Sequence, residues 1–231
     1  MSLTVKSEAV AVSGPPSDAD LLATATFDHD TPALREWALG AIGNAEGELR
    51  RAALLFADVR DGIRYDPYAI DLRPEAFTAS ATLASRRSWC VPKAILLVAG
   101  ARAIGIPARI GFADVRNHLS SEKLQERMGS DLFVFHGYAA LYVGGRWLKA
   151  SPAFNTALCE RFGVPPLEFD GHSDALLHAY DGAGRRHMEY VNDRGTWTGV
   201  PLEDMYEAFK ANYARGQAAA EHARDPAFED A

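Results

Sequence analysis

Apolar positions recur at helical spacing in the first half of the chain and run together or alternate in the second. Between Glu46 and Arg60, the side chains of Leu49, Ala52, Ala53, Phe56 and Val59 fall on one face. That spacing predicts an amphipathic helix. A shorter helix is predicted before it, from Pro32 to Ile42. Thr31 serves as its cap, and Pro32 takes the first helical position, where a missing N–H costs nothing. Gly62 breaks the second helix, and IRYDPYAI follows as a short extended segment whose Pro67 argues against a central strand. From residue 90 to 104, Ile95, Leu97, Val98, Ala101 and Ile104 again recur at near-helical spacing, but the segment is apolar on most sides. Such a helix is deeply buried. Gly105 stops it, and Pro107 lies just beyond.

The segment ARIGFADV then reads as a strand, and residues 119–128 as a short surface helix. LFVFHGYAALYV, residues 132–143, is a second strand, joined by the two-residue turn Gly144-Gly145 to a partner, RWLKASPAF. A further hairpin is expected over 175–191, around Asp181-Gly182-Ala183-Gly184, and a last helix over Leu202 to Tyr213. Residues 1–17, ending in GPPS, read as an N-terminal extension, 18–215 as one domain with its core at about 60–156, and 216–231 as a C-terminal tail. Helices come first and antiparallel strands later, which predicts an α+β fold rather than alternating βαβ units.

Composition narrows the function classes. Of 231 residues, 48% are apolar and 24% charged, an ordinary globular balance. The net charge of −7, with no Lys/Arg-rich run, argues against a nucleic-acid partner or an anionic membrane surface. The apolar run Ala94–Ala99 is far too short to cross a bilayer, and the first residues lack the apolar stretch of a secretory signal. The two cysteines, Cys90 and Cys159, show neither a disulfide framework nor zinc spacing. A reducing cytoplasm is the simplest setting, and no metal or organic cofactor is implied.

The chemistry centres on SRRSWCVPKAILLVAG, residues 85–100. Proline is tolerated only in a helix's first turn, so Pro92 fixes the helix start near Trp89 or Cys90. The Cys90 thiol then lies among unpaired backbone N–H groups at the positive end of the macrodipole, which favours the thiolate. Lys93 and Arg87 add positive charge nearby, and the same N–H groups offer donors to an oxyanion. A thiol nucleophile needs a base. His136, inside the apolar strand FVFHGYAAL and followed by Gly137, is the best candidate. A buried inert cysteine and a hydrogen-bonded core histidine are the competing readings of each residue taken alone.

The order of these features resembles the transglutaminase-like superfamily: a cysteine at a helix start, a helix running into GIPARIGF, then a histidine in a strand, a glycine turn and WLKASPAF. The resemblance covers about residues 60–156. It implies a papain-like α+β core, with Cys90 as nucleophile and His136 as general base. It also implies amide chemistry on a peptide or protein through a thioester acyl-enzyme, by hydrolysis or by transfer to an amine. Two departures stand out. Ser88 occupies a position where the family usually has glycine. Ser151 occupies the position of the family's aspartate. Asn155, four residues on, is the favoured residue to orient the imidazole through its amide oxygen, with Ser151 as the other choice. A second reading keeps the fold but makes the chain a catalytically silent member that binds a peptide in the old cleft.

The remaining candidates read more plainly. Asp28-His29-Asp30 precedes a helix start and reads as a solvated cap. His118 reads as surface packing, and His172, His178 and His187 are too scattered to be assigned as ligands. Cys159 reads as a core thiol, and Tyr65 and Trp89 as packing residues rather than oxyanion donors.

Overall fold

The structure is a computed structural model that describes residue 9 and residues 12–213. The tail expected over 216–231 and most of the extension expected over 1–17 lie outside the described residues. The first helix, α1, spans Pro32–Ile42 as its proline predicts, though the Thr31 hydroxyl caps nothing and is buried without a partner. The next helix, α2, spans Glu48–Gly62 and is tied to α1 by the Trp37 indole N–H, which donates to Asp58 at 2.7 Å. A two-residue strand β1 (Arg64–Tyr65), a short helix α3 (Ala79–Ser85) and a two-residue strand β2 (Arg87–Ser88) follow. β1 and β2 pair in parallel.

The central helix α4 spans Cys90–Ala103, and every residue from Val91 to Arg102 is buried. Burying Ile95, Leu96, Leu97 and Val98 contributes about 1.5–3 kcal/mol each relative to exposure. Gly100 permits one close contact: a Cβ there would stand 2.7 Å from the Trp37 ring.

One face of α4 packs on a four-stranded antiparallel sheet. Its members are β3 (Ala108–Asn117), β4 (Leu132–Val143), β5 (Arg146–Ala150) and β6 (Met188–Trp197), in the order β5-β4-β3-β6. The β4–β5 turn uses Gly144 and Gly145, both at positive φ (60° and 78°), as a two-residue hairpin requires. A short helix α5 (Glu122–Met128) links β3 to β4, and α6 (Thr156–Phe162) and α7 (Leu202–Tyr213) complete the chain.

Two sequence expectations are corrected here. RWLKASPAF does not stay extended: β5 ends at Ala150, before Pro152, and Asn155 opens α6. The hairpin expected over 175–191 reduces to isolated bridges, Ala150 with Ala175 and Tyr180 with Arg186. The Asp181 carboxylate organises that turn by accepting the Ala183 and Arg185 N–H groups. From Met188 the chain instead pairs along β3, whose outer edge would otherwise be open. Among the described residues, no helix is long and apolar enough to cross a membrane.

Candidate functional site

Cys90 opens α4 with Trp89 as a cap that makes no side-chain capping bond, so the first N–H groups are left to other acceptors. The thiol takes that place: the Cys90, Val91 and Gly137 N–H groups all favour its thiolate. Gly137 is what lets the strand come so near. A Cβ there would stand 2.9 Å from the Val91 Cα, a backbone atom that cannot yield. β4 therefore brings Gly137 against the helix mouth and its neighbour His136 to the same cleft.

The His136 ring is buried, and its Nε2 lies 3.2 Å from the Ser151 Oγ. Ser151 is itself buried and is fixed by its N–H, which donates to the Ala175 carbonyl at 2.8 Å. Asn155, the residue favoured from sequence, is turned elsewhere: its Oδ1 accepts the Tyr65 N–H at 3.2 Å. Serine 151 thus stands where the family resemblance puts the orienting residue. Asn155 instead holds β1, whose Tyr65 ring packs edge-on to Phe154 with centroids 4.9 Å apart. The sulfur and the imidazole form no hydrogen bond with each other in this resting geometry.

Both groups line two cavities that meet at them. One, of about 210 Å³, continues past Phe154, Leu158, Phe162, Leu177 and His187. The other, of about 200 Å³, continues past Ile70, Leu72, Trp89, Phe209 and Tyr213. Tyr65, Leu124 and Phe133 border both, with Cys90 and His136. The result is a largely apolar groove that passes the thiol on two sides. Among the described residues, no acidic side chain lines either cavity.

Electrostatics at the site reverse one sequence expectation. Burial pushes the Cys90 thiol up to about 11, against the opposing pull of the three N–H groups. The charges expected to help lie elsewhere. Lys93 is fully buried and donates to the Arg60 and Ile63 carbonyls at the end of α2, and Arg87 pairs with Asp66 at 3.2 Å. Burial also pushes His136 down to about 4. Near neutral pH the resting pair is a thiol and a neutral imidazole. Ser151 carries no charge that would raise the imidazole.

The other sequence candidates do not converge. His118 bonds Glu189 at 2.9 Å, and His29 faces the Phe27 carbonyl. His187 is the one sequence reasoning underrated: it borders the first cavity, stacks on Phe154 and leaves its Nδ1 without a partner. Cys159 is buried and borders the same cavity. Among the described residues, no group of three or more His, Cys, Asp or Glu side chains is placed to hold a metal ion.

Two outcomes follow from this geometry. Gly137→Ala forces β4 away from the α4 mouth; it costs about 1–3 kcal/mol of stability and slows Cys90 alkylation, read by denaturant melts and a peptide-resolved iodoacetamide time course. An unchanged rate in a folded variant would show that the close approach is irrelevant to the thiol. Ser151→Asp places a carboxylate beside the His136 Nε2, raises the imidazole pKa and so moves the acid limb of Cys90 alkylation to higher pH, whereas Asn155→Ala leaves that pH profile in place. The reverse ranking of the two variants would restore Asn155 as the orienting residue.

The profile of the transglutaminase-like superfamily matches residues 35–152. Among solved structures, the chain is similar to a candidate cysteine protease from Cytophaga hutchinsonii, at 20% identity and a TM-score of 0.46, over 64% of this chain and 46% of that one. It is also similar to a candidate protease from Parabacteroides distasonis, at 15% identity and a TM-score of 0.37, over 54% of this chain and 25% of that one. The chain spans less than half the length of either protein. No curated protein matches the sequence. The family match takes in about half of the 231 residues, from α1 through the strand that delivers Ser151; on that match the chain belongs to the transglutaminase-like superfamily.

Proposed function

We propose that the protein is a cysteine-dependent hydrolase of peptide or protein amides, working through a thioester on Cys90. The observation that carries this reading is the meeting of the Cys90 thiol, the His136 imidazole and two apolar cavities in one groove. With Nε2–H donated to Ser151, His136 has Nδ1 as the free base. In the encounter Nδ1 takes the thiol proton, and the sulfur attacks the amide carbonyl. The oxyanion is met by N–H groups at the α4 mouth, and the imidazolium returns its proton to the departing amine. Water, activated by the same nitrogen, then hydrolyses the thioester and frees the acid.

Transfer to an amine would share every step but the last. Hydrolysis is favoured because water is always at hand and, among the described residues, no acidic side chain in the groove marks an amine site. Substrates with bulky apolar side chains flanking the amide suit the cavity linings. Two unpaired cysteines support a reducing, cytoplasmic setting. The domain is proposed to run over residues 18–215.

The uncharged Ser151 favours a second reading: a silent member that holds a peptide in the cleft without turnover. Mixing the protein with apolar peptide thioesters or activated amides and reading intact mass separates the two. An acyl adduct that maps to Cys90 and disappears with time supports the enzyme. Peptide binding with no adduct supports the second reading and rejects the first.

A further inference from the structure

The strand that carries His136 is not regular. β3 pairs Ala113 with His136 and Val115 with Phe133, so the single residue Asp114 faces two on β4, Val134 and Phe135. That is a β-bulge. Phe133 and His136 are three apart, and in an unbroken strand they would point to opposite faces. The extra residue brings both to the face of Val115 and Ala113, and both border the two cavities with Cys90. The bulge therefore decides that the imidazole reaches the cleft.

It is held against a backbone preference. Phe135 sits at φ 56°, the left-handed region that a bulky side chain rarely adopts. Three hydrogen bonds meet on the Asp114 carboxylate beside it. The Phe135 N–H donates to the Asp114 Oδ1 at 3.1 Å. The Arg194 Nε donates to the same oxygen at 2.6 Å, and the Asn192 amide donates to Oδ2 at 3.2 Å. The Arg194 guanidinium also lies over the Phe135 ring, 4.3 Å from its centroid. Asp114 is buried, so its carboxylate depends on these partners. Arg194 itself comes from an irregular stretch of β6, where the register with β3 shifts between Phe112 and Ala113.

We infer that Asp114 and Arg194 are positioning residues, which hold His136 in the cleft by clamping the bulge at Phe135. The inference takes from the reading above that His136 serves Cys90, but its geometry stands without that role.

The test uses two readouts on the whole chain: the rate of Cys90 alkylation by iodoacetamide, and the imidazole ¹⁵N signals of His136 by NMR. Asp114→Ala is expected to lower the rate at least tenfold, toward that of His136→Ala, and to move the ring signals. Asp114→Asn keeps an oxygen for the Phe135 N–H and is expected to recover the rate to within threefold of wild type. Should Asp114→Ala not fold, Arg194→Met decides: it keeps bulk over the ring and removes the ion pair, and a three- to tenfold fall with moved ring signals is expected. A folded variant with wild-type rate and ring signals overturns the inference, as does a slowed variant whose His136 signals have not moved. If His136→Ala alkylates like wild type, the catalytic pair is wrong, and moved ring signals in the Asp114 variants still uphold the clamp.

Discussion

Replacing His136 by alanine is expected to lower single-turnover acylation at pH 7 by about 10²–10⁴-fold, the span that a positioned general base supplies. The reason lies in the desolvation of the thiol and the imidazole. A thiol pushed up to about 11 is ionised at pH 7 only on the order of one part in ten thousand, so resting thiolate cannot sustain the reaction. The proton must leave during the encounter, and His136 is the base in the groove. The sign of the pH dependence follows. His136 is held down at about 4, so it is a competent base above that pH and is lost as pH falls through it. The acid limb of the wild-type rate is therefore expected near pH 4, well below the ordinary 6.5 of histidine. In the alanine variant that limb disappears, and the rate climbs about tenfold per pH unit toward the thiol's own ionisation. A folded variant with the wild-type rate and acid limb would make His136 a core residue and nothing more.

That profile is the opposite of what the local sequence suggests, and the difference is instructive. A cysteine at a helix mouth beside Lys93 and Arg87 reads as a depressed thiol because the N–H groups and charges are visible in the sequence. Desolvation is not visible there. It arises from chain segments that close over the site from afar: Tyr65 before it, and Leu124, Phe133 and Leu177 after it. Lys93, one turn into α4, is spent on the carbonyls at the end of α2, a partner some thirty residues upstream.

What could be read was local and strongly marked. Pro32 announced α1, the apolar run after Cys90 announced α4, and Gly144-Gly145 announced the β4–β5 hairpin. The two-residue pairing of β1 with β2 has no pattern of its own, because its register is set by long-range packing. The same holds for the orienting residue. Ser151 and Asn155 look alike from the strand's end, and what Asn155 bonds, the Tyr65 N–H, lies ninety residues away. The bulge at Phe135 hides best. FVFHGY reads as an unbroken strand, and the carboxylate that bends it comes from β3.

The second large effect concerns stability. Lys93 is fully buried, bonded to the Arg60 and Ile63 carbonyls with no carboxylate in contact, and burial pushes it down to about 7. As a neutral amine it offers two N–H donors to two carbonyl acceptors. Unfolding returns it to its ordinary 10.5, so between those values the unfolded chain binds a proton that the folded chain does not. Stability must then rise with pH across this window, by up to about 1.4 kcal/mol per pH unit, and be lost as pH falls toward 7. Above pH 9 the two thiols oppose the trend. Both are raised by burial to about 11, so there it is the folded chain that binds the extra protons. The clean window is pH 7 to 8.5, where wild-type stability is expected to gain about 1.5–2 kcal/mol in urea melts. Lys93→Met should flatten that slope. It should also lose about 1–3 kcal/mol at pH 8.5, because the end of α2 keeps two carbonyls without donors. A variant as pH-dependent as wild type would show that Lys93 keeps its proton in the core and that another group sets the slope.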